Sequence, residues 1–185
     1  MKWNEHYDLQ GKHAFLGASQ NAWLRYDDIK VSTTYLNLLK KEEGIKLHQF
    51  ASDAIKLRIK VATLKNALNL FINDAIGFKM ESEQLLYYSD NCFGTADAIS
   101  FKSDVLRIHD LKTGNIKKTF DQLYIYAALF CLEYAHKPEK IQTILRIYQG
   151  SNFEELEADP KVIKDIMIKI KRFDKIIIET IQNLT

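Results

Sequence analysis

Asp97, Asp110 and Lys112 are the residues of this chain whose types and spacing could do chemistry. From Val105 to Lys112 the sequence alternates with a period of two. Such alternation places Leu106, Ile108, Asp110 and Lys112 on one face of a strand, with Val105, Arg107, His109 and Leu111 on the other. A buried carboxylate and ammonium at the end of an apolar strand face are costly unless they are paired or bound to a metal. Upstream, the stretch from Phe93 to Ser100 forms a second strand with Gly94, Ala96 and Ala98 on a small face and Phe93, Thr95, Asp97 and Ile99 opposite. Joined across Lys102-Ser-Asp104, the two strands make a hairpin. Asp97 approaches Asp110 and Lys112 only if the register suits, and the sequence leaves that register open.

Two carboxylates and a lysine at one spot suit metal-assisted hydrolysis of a phosphodiester. Asp97 and Asp110 supply hard oxygen ligands of the kind Mg²⁺ or Mn²⁺ prefers. Such an ion polarises a phosphoryl oxygen and acidifies a bound water. Lys112 could orient or help deprotonate that water, or offset charge developing on the phosphate. An ordinary Asp–Lys pair at a strand end accounts for Asp110 and Lys112 but not for Asp97.

The elements that must position these groups follow from periodicity. Thr33 to Lys60 reads as a helix in which Gly44 either breaks the run or permits a close contact. Ile45, His48, Ala51, Ser52 and Ile55 recur along its inward stripe. Val61 to Ile76 reads as a second helix, with Val61, Leu64, Leu68, Phe71, Ile72 and Ala75 inward and Gly77 as its terminator. Met80 to Asp90 is strand-like, closed by a turn at Ser89-Asp-Asn91. Glu81 and Glu83 open that strand; either could reach a metal, although solvation is the simpler expectation for both. Thr113-Gly-Asn115 turns the chain into a helix from Phe120 to Tyr134, on which Gln122 and Tyr126 share a face. Ile141 to Gln149 is a further strand, and the strand–helix–strand order implies a parallel crossover. Asp159-Pro160 begins a long amphipathic helix carrying Val162, Ile163, Ile166, Met167, Ile170, Phe173, Ile177 and Ile181, with Lys161, Lys164, Lys169, Lys171, Arg172 and Lys175 outward. At the start of the chain, Ser19 is the expected cap of a short helix that buries Trp23 and Leu24. Trp3, His6, Tyr7, His13 and Phe15 could stack on bases but are expected to pack instead.

At 185 residues the chain fits one domain. Its expected parts are a helical N-terminal region over about 1–80, a sheet core over about 81–150 and a C-terminal helix over about 160–183. A net charge of +2 leaves any anionic partner to a local patch. The sequence shows neither a membrane span nor a signal-peptide core. Cys92 and Cys131 are too few for a zinc or iron–sulfur site, so the expectation is a reduced cytoplasmic protein without an iron–sulfur cluster.

Taken together, Gly94-x-x-Asp97, Asp110-Leu-Lys112 thirteen residues further on, Gln122-x-x-x-Tyr126 and the upstream Gly44-Ile-Lys-Leu-His48 resemble the PD-(D/E)XK nucleases of the RecB type. Each motif is weak alone; in this order, on helix, strand, strand and helix, they are specific. The openings Lys12-His-Ala-Phe-Leu-Gly-Ala-Ser19 and Trp23-Leu-Arg-Tyr26 also look like phage-encoded members. The resemblance implies an α/β fold with a restriction-endonuclease-like core, a central mixed sheet flanked by helices. It implies Mg²⁺ or Mn²⁺ held by His48, Asp97, Asp110 and the backbone carbonyl of Leu111. Lys112 becomes the catalytic lysine, while Gln122 and Tyr126 border the site and contact DNA or brace the lysine. Asp110 stands where part of the superfamily has Glu, and the four cysteines that some relatives use for a cluster are missing. The implied activity is a metal-dependent deoxyribonuclease, exonuclease rather than sequence-specific endonuclease, in phage-type DNA recombination or processing in the host cytoplasm. DNA is the implied partner, with a helicase or recombination protein supplying any unwinding; the oligomeric state stays open. The alternative is a non-catalytic nucleic-acid-binding or assembly module that keeps the fold.

Overall fold

The computed structural model describes residues 7, 11–114 and 117–183. Trp3, His6 and Asn115, named above, lie outside them. The chain divides into two compact units at Glu43/Gly44. In the first, a short 3-10 helix, Asn21–Arg25, precedes the start of α1 (Asp28–Lys56), which continues into the second unit. The cap of that 3-10 helix is Gln20 and not Ser19, and it makes no side-chain hydrogen bond. Trp23 is half-buried and donates its indole N–H to the Gly17 carbonyl at 2.9 Å. Leu24, expected to be buried, is exposed.

The second unit holds α2 (Ala67–Gly77), β1 (Glu81–Ser89), β2 (Cys92–Lys102), β3 (Val105–Lys112), α3 (Asp121–Glu133), β4 (Gln142–Gln149), β5 (Asn152–Glu157) and α4 (Pro160–Gln182). The fold is α/β: a five-stranded mixed sheet in the order β1-β2-β3-β4-β5, flanked by helices, consistent with a restriction-endonuclease-like core. All neighbouring strands are antiparallel except β3 and β4, which α3 connects in parallel. The β2–β3 turn places Ser103 and Asp104 both at positive φ, +51° and +59°, the mirror-image geometry that two-residue hairpins favour.

Two apolar cores lie in this unit. One gathers Ile99, Leu106, Ile108, Leu123, Ala127, Leu145 and Ile163; the other gathers Ala51, Ile55, Phe71, Ile72, Leu111 and Tyr148. Inward alternation of β3 thus divides its side chains as its sequence requires.

Three expectations need correction. The second helix begins at Ala67, not Val61, because Asn66 caps it by accepting from the Asn69 N–H at 2.8 Å; Leu64 lies outside the helix and is exposed. Gly77 is the last residue of α2, but the left-handed residue that ends the segment is Lys79, at φ +56°. In α4 the Asp159 cap is present, accepting from the Lys161 N–H at 2.8 Å, yet only Ile163 is fully buried and Phe173, Ile177 and Ile181 are exposed. The edge strand β5 was not expected: its residues Asn-Phe-Glu-Glu-Leu-Glu carry too little apolar alternation to announce it.

A buried polar network lines the face of β3 opposite Asp110. Tyr148 donates its hydroxyl to Asp74 Oδ2 at 2.8 Å, and Arg146 donates to the same carboxylate at 2.8 Å. With its own proton committed to Asp74, the Tyr148 oxygen can only accept from His109, 3.2 Å away. This assigns the His109 proton to Nδ1 and leaves Nε2 a bare lone pair, which has no hydrogen-bond partner among the described residues. His109 is 1% exposed, and burial, reinforced by the positive charges of Arg146 and Arg107, holds its pKa down at about 3.

That pKa lies below the unfolded value of about 6.5, so the neutral imidazole contributes full stability above pH 6.5. The contribution is lost as pH falls from about 6.5 toward 3, at up to about 1.4 kcal/mol per pH unit. Urea denaturation of metal-free protein at pH 7 and pH 5 checks this. The parent is expected to lose about 2 kcal/mol more over that interval than His109→Gln, which has no group to titrate there. Equal losses would contradict it.

Candidate metal centre

Register resolves what the hairpin sequence left open. The β2–β3 pairs run from Lys102↔Val105 to Ala98↔His109, and the next step sets Asp97 directly opposite Asp110. Backbone pairing stops there. The Asp97 carboxylate takes its place, with Oδ2 accepting from the Leu111 N–H at 2.8 Å. On the other side of β2, the pairs Ser82↔Ala98 and Gln84↔Ala96 set Glu83 opposite Asp97. Glu83, Asp97 and Asp110 therefore form one row across three adjacent strands.

Like charges facing each other across strands are destabilising. Lys112 offsets one end of the row: its Nζ lies 3.1 Å from Asp110 Oδ1 and 2.9 Å from Oδ2. Only Oδ1 is aligned to accept a hydrogen bond. Oδ2 attracts the ammonium as a charge but has no hydrogen-bond partner among the described residues, although Asp110 is only 2% exposed. Burial, then the neighbouring Asp97 charge, raises the Asp110 pKa, opposed by Lys112 and His48.

His48 stands at the other end. Its Nδ1 is 3.5 Å from Asp97 Oδ2, and hydrogen bonding to that carboxylate raises its pKa against the opposing effect of burial. Two contacts bring the helix this close. One turn before His48, a Cβ on Gly44 would meet Thr113 Oγ1 at 2.8 Å, so glycine lets α1 approach the end of β3 without displacing that hydroxyl. One turn after it, the buried Ser52 and Ser82 hydroxyls are 3.1 Å apart and Ser82 also donates to the Ser52 carbonyl at 3.2 Å. That latch fixes α1 against β1 beside Glu83. Gly44 thus resolves as a close contact within a continuous helix.

On α3, Gln122 and Tyr126 meet as their spacing requires. Gln122 Oε1 accepts from Lys112 Nζ at 2.8 Å, and Gln122 Nε2 donates to the Tyr126 hydroxyl at 2.9 Å. The Tyr126 ring lies over Gly94, where an added Cβ would fall 3.0 Å from Cε1. Burial raises the Tyr126 pKa, so the hydroxyl stays protonated at neutral pH.

The structure therefore links His48, Asp97, Asp110, Lys112, Gln122 and Tyr126 through neighbouring contacts, and it sets Glu83, one of two acids that could reach a metal, beside His48 and Asp97. Donor atoms of His48, Glu83 and Asp97 lie within 4.8 Å of one another, a group able to hold a metal ion. Glu83 was expected to be solvated. It is exposed as a residue, yet burial of its carboxylate and the charge of Asp97 raise its pKa. Glu81, by contrast, makes a surface pair with Arg58 at 3.5 Å. Imidazole and carboxylate oxygens are the donors that Mn²⁺ and, for the oxygens, Mg²⁺ accept, and His48, Glu83 and Asp97 bring such donors together, so the residues fit such an ion. Searches against family models, curated proteins and solved structures find no match to this chain.

Gly94→Ala tests the close approach. The added Cβ would stand 3.0 Å from Tyr126 Cε1, so the ring must give by a few tenths of an ångström. A crystal structure of the variant is expected to show the Tyr126 ring displaced away from residue 94 while Gln122 keeps its bond to Lys112. An unmoved Tyr126 would refute the role assigned to Gly94.

Proposed function

We propose that this chain is a metal-dependent deoxyribonuclease that hydrolyses phosphodiester bonds, a member of the RecB-type PD-(D/E)XK nucleases. The observation that carries the reading is the row of carboxylates with His48 at one end and Lys112 at the other, including a buried Asp110 held by Lys112. A structural ion pair needs only Asp110 and Lys112. The remaining acids have no such explanation.

When bound, a divalent ion supplies Lewis-acid polarisation of the phosphate and an acidified water. His48, Asp97, Asp110 and the Leu111 carbonyl would hold it. Lys112, fixed between Asp110 and Gln122, has a third N–H left to orient the attacking water or to offset charge on the phosphate. Water oxygen bonds to phosphorus, the bridging P–O bond breaks, and the products are a phosphomonoester and a hydroxyl. Tyr126 holds Gln122 in place from behind. The preference for an exonuclease, and for phage-type DNA processing in the cytoplasm, rests on the sequence resemblance. Among the described residues no helix is long and apolar enough to cross a membrane.

Linear, circular, single-stranded and double-stranded DNA incubated with Mg²⁺, Mn²⁺ or EDTA test the proposal. Cleavage is expected with either metal, to vanish in EDTA, and to fall at least about 100-fold in Asp110→Asn and in Lys112→Ala. Thermal melting of both variants separates loss of activity from loss of fold. Restriction of cleavage to DNA with ends would support an exonuclease. A folded parent inactive under every condition would instead favour a binding or assembly module.

A further inference from the structure

The apolar stripe of α4 runs on past the core that it packs against. Ile163, Ile166 and Ile170 join that core, whereas Phe173, Ile177 and Ile181, further along the same stripe, are exposed. Asp174 ties this half of the helix to the β1–β2 turn, its Oδ1 accepting from Ser89 Oγ at 2.7 Å and from Asn91 Nδ2 at 2.9 Å. Between α4, that turn and α3 lies a groove of about 500 Å³, lined on the α3 side by Tyr124 and the exposed Ile125. Lys169 also lines it, and its ammonium makes no ion pair or hydrogen bond among the described residues.

An apolar groove beside a helix takes another amphipathic helix, and the sequence of α4 is complementary to itself. Two copies set antiparallel about a twofold axis between Lys171 and Arg172 place Val162 against Ile181 of the second copy, Ile166 against Ile177, Ile170 against Phe173, and Lys169 against Asp174. Every α4 residue that lines the groove thus meets an apolar or an oppositely charged counterpart. Sliding one helix by a turn sets Lys169 against Ile170 or Ile178 instead, so the charges select one register. We infer that the chain forms a twofold dimer in solution, with α4 of each copy seated in the α3–α4 groove of the other. The dimer does not depend on the nuclease reading.

Sedimentation of the full-length chain over a range of concentrations reads its size. A monomer–dimer equilibrium is expected, and Ile177→Asp should shift it at least about tenfold toward monomer by setting a carboxylate in the apolar contact. Lys169→Asp and Asp174→Lys should each weaken the dimer at least about tenfold, because like charges then face each other. An equimolar mixture of those two variants should dimerise again, since each chain supplies the charge that the other lacks. Misfolding would give no such rescue, and melting curves check each variant. Should Asp174→Lys not fold, Lys169→Asp and Ile177→Asp still decide. A parent that is monomeric, or of any other size, would overturn the inference. So would a dimer that survives Ile177→Asp or Lys169→Asp, or folded charge-reversed chains that fail to recover on mixing.

Discussion

Three carboxylates in one cross-strand row are the constraint on which the rest of this unit depends. Adjacent strands cannot hold Glu83, Asp97 and Asp110 side by side at neutral pH without compensation. The protein compensates in three ways: the Leu111 N–H binds Asp97, Lys112 lies across Asp110, and His48 approaches from α1. The sheet is irregular at two points around the row. Backbone pairing between β2 and β3 ends at Ala98, and β1 accepts a left-handed residue at Glu83. A sheet that deforms around its acids at this point, and is regular elsewhere on β2–β3, is organised for something other than its own stability.

Small residues let the flanking helices reach that row. Gly44 admits α1 to Thr113, and Gly94 admits the Tyr126 ring of α3. The polar contacts then fix rotation: the Ser52–Ser82 latch for α1, and the chain from Lys112 through Gln122 to Tyr126 for α3.

The opposite face of β3 solves a related problem differently. There His109, Tyr148, Asp74 and Arg146 form a nearly closed network in which every group but His109 Nε2 finds a partner. Its imidazole is kept neutral by burial and by two nearby arginines. One strand thus carries a network held neutral at its imidazole on one side and a row of acids facing a lysine on the other.

The sequence by itself determined the strands that carry Asp97 and Asp110, the helical spacing that joins Gln122 to Tyr126, and the inward face of His48. All three follow from local periodicity, which neighbouring residues in the chain dictate. The Asp159 cap and the parallel crossover through α3 were legible for the same reason. Tertiary structure alone decided the register, and with it that Asp97 faces Asp110 and Glu83 faces Asp97. A slip of one residue would have turned these side chains to the other face, and no local pattern forbids that slip. It also decided that Gly44 is a contact and not a break, because Thr113 lies far along the chain. Glu83 could not be told from Glu81 for this reason: in sequence both are glutamates opening a strand that could reach a metal, and only the row across three strands separates them.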